Sequence, residues 1–149
     1  MPETQTLRVQ TLSFGEIEVP ESKVLTFPEG IPGFPSHRRF VVLSPDEIKP
    51  FQYLQALDEP PVAFLIINPF LASAGYEVKL SSSDMDDIGS SDPSELTVYA
   101  VVTVPQNPQK STVNLTAPIV INEKKRIGRQ FILQDSGFSV KHPLIRPHG

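Results

Sequence analysis

The chain contains no cysteine, which excludes disulfide scaffolds and thiolate metal sites. It has three histidines, and His37, His142 and His148 match no metal-ligand spacing. No apolar run approaches the length of a membrane span. The longest, Val62–Ile67, is the size of a strand. Residues Met1–Thr6 carry neither the basic stretch nor the apolar stretch of a secretory signal. Without cysteine or leader, the cytoplasm is the expected compartment.

Catalytic frameworks are also missing. Ser111, Asp135, Ser136 and His142 supply the residue types of a hydrolase triad, but there is no Gly-x-Ser-x-Gly elbow, and His142 stands before Pro143 near the chain end. Gly30 and Gly33 flank Ile31 and Pro32, and a proline there makes a rigid turn rather than a phosphate-binding loop. Asp84, Asp86 and Asp87 lack the glycine and the distant glutamate of a calcium loop, and read instead as carboxylates near a helix start. No cofactor and no metal are expected.

What is present is a succession of short strand signals in 149 residues, a length that predicts one domain spanning 1–149. Leu7 and Val9 alternate, as do Ile17 and Val19 after the Phe14–Gly15 break. Strands are further predicted over Val24–Phe27, Phe40–Leu43, Tyr53–Leu57, Val62–Ile67, Tyr76–Leu80, Leu96–Val104, Val113–Leu115, Ile119–Ile121 and Gln130–Leu133. Turn residues separate nearly every pair, and sixteen prolines are scattered throughout. The pattern predicts an all-β sandwich or barrel. One short helical insertion is expected at Ser83–Ile88, stopped by Gly89, with another turn over Ser91–Leu96 and a single turn at Ser36–Arg39. The end, Lys141–Gly149, has no periodicity and is expected to be extended or frayed, with disorder expected from about residue 145.

Net charge is -4, unevenly placed. Residues 1–122 hold 15 acids and 7 bases, whereas residues 123–149 hold 2 acids and 6 bases. An acidic body repels nucleic acid and attracts a basic partner. The basic cluster Lys124, Lys125, Arg126 and Arg129, beside Phe131, is the alternative: a nucleic-acid-binding barrel, which the rest of the charge opposes. A small serine hydrolase using Ser111 or Ser136 is the other alternative.

Candidate contact residues follow from the same reading. Pro69 should end a strand after Asn68 and leave Phe70 on a connecting loop as an apolar anchor. Phe34 and Phe138 are open to the same interpretation. Pro118 breaks the alternation of 111–122, so Asn114 and Asn122 should lie beside a broken strand whose unpaired backbone could accept another chain. Asp84, Asp86 and Asp87 offer charge to a basic partner.

Four blocks in register resemble the flagellar assembly factor family FliW: Phe14–Ile17, Phe27–Phe34, Val62–Phe70 and Ser111–Asn122. A fifth, Ser139–Leu144, is similar to the family's terminal block, with Phe138 where tyrosine is common and Lys141 where arginine is common. The resemblance implies an all-β, barrel-like and mostly antiparallel folded sheet without enzymatic activity. It further implies a cytoplasmic protein that binds newly made flagellin and, once flagellin is exported, captures the RNA-binding regulator CsrA and relieves its repression of flagellin translation. A monomer with no direct nucleic-acid contact is expected.

Overall fold

Strand pairing in the computed structural model, which describes residues 6–11, 15–31, 33–34, 36–59, 61–90, 92–133 and 137–144, closes a barrel. The barrel strands are β3 (Leu25–Thr26), β4 (Arg39–Leu43), β5 (Gln52–Ala56), β6 (Ala63–Ile67), β7 (Leu96–Thr103), β9 (Ile119–Asn122) and β10 (Ile127–Gln130). Successive neighbours are antiparallel except β3 and β10, which meet in parallel at Thr26 and Ile127. β9 then pairs with β7 from Leu96↔Asn122 to Tyr99↔Ile119, which completes a ring of seven strands. The all-β barrel expected from the sequence is therefore the fold, with short helices attached.

The alternation of side chains builds two layers of core from one wall. Phe40, Leu54, Ala56, Ile66, Ile119 and Ile121 point inward and fill the barrel with Phe27 and Ile31. Their sequence neighbours point outward, and separate elements cover them. The hairpin β1 (Thr6–Thr11) and β2 (Gly15–Pro20) buries Val9 and Val19 against Val41 of β4. Helix α1 (Pro69–Ala72), strand β8 (Thr112–Val113) and the segment ending in β11 (His142–Pro143) cover Ile67, Ala100 and Val102. Helix α2 (Ser82–Asp87) leads into Ile88, which packs on Val120 and Phe131. This is why Phe40–Leu43 and Val62–Ile67 read as unbroken apolar runs: both faces are covered.

Gly128 fits the interior for a specific reason. A Cβ at this position would be driven into the Phe27 ring, which lies where a side chain of β10 would otherwise stand. Phe27 in turn meets Phe40 edge to face at 4.9 Å between centroids.

Several expectations need correction. Among the described residues, Tyr76–Leu80 pairs with no strand. Tyr76, Val78 and Leu80 still turn one side toward the outer cores, so period-two spacing here records backbone extension and not a ladder. The last barrel strand is Ile127–Gln130 and not Gln130–Leu133. Ser36–Arg39 forms no helix, because Arg39 already begins β4. The insertion helix starts earlier than the serine at position 83 suggests. Its N-cap is Ser81, whose hydroxyl accepts from Asp84 N while the Asp84 carboxylate accepts from Ser81 N, a reciprocal capping box. Gly89 stops it with φ 71°, as expected. His142 and Pro143 pair with Val113 and Thr112. Residues 145–149, with His148, lie outside the described residues, as do Phe14, Pro32, Ser91, Asp135 and Ser136.

Candidate partner-binding surfaces

The Asn68–Phe70 segment is helical and not a loop. Asn68 is the N-cap of α1, and its side-chain oxygen accepts from Phe70 N at 2.9 Å. Pro69 occupies the first helical position, where its missing N–H costs nothing. The asparagine–proline pair was the available signal for this turn. Pro69 is buried, while Phe70 and Leu71 are 46% and 63% exposed. The two exposed residues face different recesses. Leu71 lines a groove of about 630 Å³ with Phe51, Leu65, Val102, Val104 and Leu144. Phe70 lines a slot of about 260 Å³ with Val78, Leu80, Pro93, Leu96, Val98 and Val120.

Tyr76 supports this region from beneath. Its ring lies 5.7 Å from Phe70 and 4.7 Å from Phe138, and its hydroxyl donates to Leu115 O at 2.8 Å. Burial pushes its pKa up to about 12. Phe138 is thus half-buried against Tyr76, and Phe34 is half-buried against Phe64 at 5.5 Å.

The broken strand is more fully paired than expected. Asn114 N donates to Val101 O, Leu115 N to Ser139 O, Phe131 N to Pro118 O and Leu133 N to Thr116 O. The Asn114 side chain accepts from Thr116 N and from the Thr116 hydroxyl, which forms the turn before Pro118. β8 and β9 act as one bent partner of β7, with the 114–118 turn as the bend. Asn122 is 3% exposed. It donates to Ile88 O and Gly89 O at 3.0 and 3.2 Å and accepts from Lys125 N at 3.3 Å. The expected unpaired backbone is taken up within the chain, and the Asn122 amide ties the end of α2 to the barrel.

The three aspartates differ. Asp84 caps α2, Asp86 is exposed, and Asp87 pairs with Arg129 at 3.2 Å. Arg129 also pairs with Glu29 and stacks over Phe131 at 5.3 Å. Lys124 pairs with Glu95 at 2.6 Å, which raises the lysine pKa through that hydrogen bond. Lys125 lies against Gly89. Two of the four cations of the basic hairpin are therefore engaged with the chain's own carboxylates.

Ser111 immediately precedes β8, whose neighbour β11 carries His142, but the two do not form a nucleophile–base pair. The Ser111 hydroxyl donates to Pro108 O at 2.6 Å, and His142 Nε2 lies 3.3 Å from Ala72 O. Among the described residues, no three His, Cys, Asp or Glu side chains are placed to hold a metal ion.

These features define a closed β-barrel module whose outer wall carries three covers and, among the described residues, the two recesses beside α1. The comparisons specify which one. The family model described as FliW protein matches residues 8–144. The chain is 38% identical over 138 residues to the flagellar assembly factor FliW of Alkaliphilus metalliredigens, covering 92% of this chain and 85% of the relative. It is 39% identical over 139 residues to that of Geobacter sulfurreducens, covering 93% and 87%. A crystal structure of the flagellar assembly factor FliW superposes with a TM-score of 0.87 at 33% identity, covering 95% of this chain and 99% of that one. The chain belongs to the FliW family of flagellar assembly factors.

Proposed function

We propose that this protein is a cytoplasmic, protein-binding regulator of flagellin synthesis. It holds newly made flagellin in a chaperone-like way. When flagellin is exported, the freed protein captures the translational regulator CsrA, and flagellin translation resumes. The observation that carries this reading is the family match across residues 8–144. An acidic sequence, with net charge -4, suits an RNA-binding and therefore basic regulator, and complementary potentials speed encounter. Switching requires only that the two partners disfavour each other on the protein. A coupling of about 1–3 kcal/mol shifts affinity by roughly 5–150-fold.

Two alternatives are less well supported. The basic hairpin has Lys124 and Arg129 engaged with Glu95, Asp87 and Glu29, which opposes its use as a phosphate-binding stripe. Ser111 faces a backbone carbonyl rather than a base. Of the candidate contacts, Asn68, Phe70, Asp86 and Asp87 are the exposed ones.

The test is co-purification of the immobilised full chain from a flagellated bacterial extract, with flagellin and CsrA probed separately. Retention of both above a blank column is expected. Retention of neither overturns the proposal.

A further inference from the structure

Four segments meet around the slot of about 260 Å³. Val98 of β7 and Val120 of β9 form its floor, and Val78, Leu80, Pro93 and the half-exposed Phe70 ring form its walls. We infer that this slot receives an apolar side chain carried on a basic amphipathic segment of a protein partner. The inference rests on the reading of the chain as a protein-binding factor, and names the place and the chemistry of one contact.

The apolar lining sets the first half of the occupant's chemistry. Covering the Phe70 ring and the aliphatic walls removes apolar surface from water, which favours association. The recess is of side-chain size, so it takes a residue or two of a partner and not a domain.

The charges around it set the second half. Glu77 neighbours Val78, Asp84 caps the helix that follows Leu80, and Asp92 and Glu95 bracket Pro93. Asp86 adds a further exposed carboxylate on α2. The bases nearby are Lys79, paired with Glu77 at 3.7 Å, Lys124, paired with Glu95 at 2.6 Å, Arg129, paired with Asp87 at 3.2 Å, and Lys125, which lies against Gly89. Asp84, Asp86 and Asp92 are left as a net negative rim. Hydrogen bonds from Ser94, with Lys124 nearby, hold the Asp92 carboxyl below its ordinary range. Such a rim repels acidic segments and draws in lysine or arginine flanking an apolar anchor.

The experiment uses the full chain and a fluorescein-labelled Leu/Lys amphipathic peptide, with a Leu/Glu peptide of equal length as the control, read by fluorescence anisotropy. Val78→Phe fills the slot and Phe70→Ser removes a wall, and circular dichroism confirms that each variant is folded. Phe70→Ser alters an exposed residue and keeps the test alive should Val78→Phe fail to fold. Glu77→Lys combined with Asp86→Lys reverses part of the rim without touching a helix cap. The Leu/Lys peptide should bind the parent protein and the control should not. Each slot variant should weaken binding at least tenfold, and the charge variant should weaken it and flatten its salt dependence. No binding by the parent, or binding unchanged in the slot variants, overturns the inference. Flagellin and CsrA are probed on the parent column in parallel. Retention of both with no slot effect rejects the slot alone, and a slot effect with neither retained rejects the proposed partners alone.

Discussion

Replacing Tyr76 with phenylalanine keeps the ring that packs against Phe70 and Phe138 and deletes one hydroxyl. That hydroxyl donates to Leu115 O at 2.8 Å in a buried setting, with Tyr76 3% exposed and Leu115 fully buried. The variant leaves a buried carbonyl without this donor, which costs about 1–3 kcal/mol. For a domain of this size, each kcal/mol lowers Tm by about 2–4 °C. Urea titration followed by circular dichroism gives the free energy, and a thermal scan gives the shift. The same group adds a pH signature. The folded hydroxyl has its pKa pushed up by burial to about 12 from an ordinary 10.0. Below pH 10.0 both states hold the proton and the parent protein has its full advantage. Between pH 10.0 and about 12 the unfolded chain releases the proton before the folded one, so parent stability falls with rising pH. The gap between parent and Tyr76→Phe should therefore narrow across that window. A gap at neutral pH below about 0.3 kcal/mol, where even a weak net hydrogen bond contributes roughly 0.5, or a gap that widens above pH 10.0, refutes the argument.

Three further outcomes are expected. Gly128→Ala should destabilise by about 1–3 kcal/mol or more through collision with Phe27, measured by urea midpoint; a neutral result would mean the ring has somewhere else to go. Asn122→Ala should cost about 1–3 kcal/mol and accelerate hydrogen exchange over residues 81–90, because Ile88 O and Gly89 O lose their donor; unchanged exchange there would remove Asn122 as the tie. Burial alone would raise the Asp58 pKa, but hydrogen bonds from Arg38 N, Arg39 N and the Arg39 guanidinium outweigh it and the net shift is downward. Its contribution is present above the ordinary 3.8 and lost as pH falls through the folded value, so Asp58→Asn should lower neutral-pH stability by about 1–2 kcal/mol and flatten the acid limb of the stability curve.

The barrel was legible where one residue's direction determined its surroundings. Leu7, Val9, Ile17 and Val19 alternate because their hairpin has one buried side. β10 was harder to place, since Gly128 sits where an inward apolar residue would mark the strand and the ring that fills the space comes from Phe27, far away in sequence. The Tyr76–Leu80 pattern was real, but alternation reports which way side chains point and is silent on backbone partners. At the candidate surfaces, the sequence picked out Phe70 and the aspartates as separate features. The recess beside Phe70 depends on β7 and β9 running side by side, and contacts of that separation leave no local trace. Asn122 carries the same lesson in reverse: an amide that reads as a free recognition group is committed to two carbonyls more than thirty positions earlier.

The three outer covers of the barrel have a bearing on how such a protein can diversify. The β1–β2 hairpin closes over its own small group of apolar residues, whereas the α1–β8–β11 layer and the α2 insertion both pack on Val98. Lesions in the hairpin should therefore combine by simple summation with lesions in either other cover, as distant sites without shared neighbours do, whereas lesions in the two covers that meet at Val98 should couple. Evolution can accordingly redraw the hairpin flank to suit a new binding companion while the cylinder inside it goes on as before.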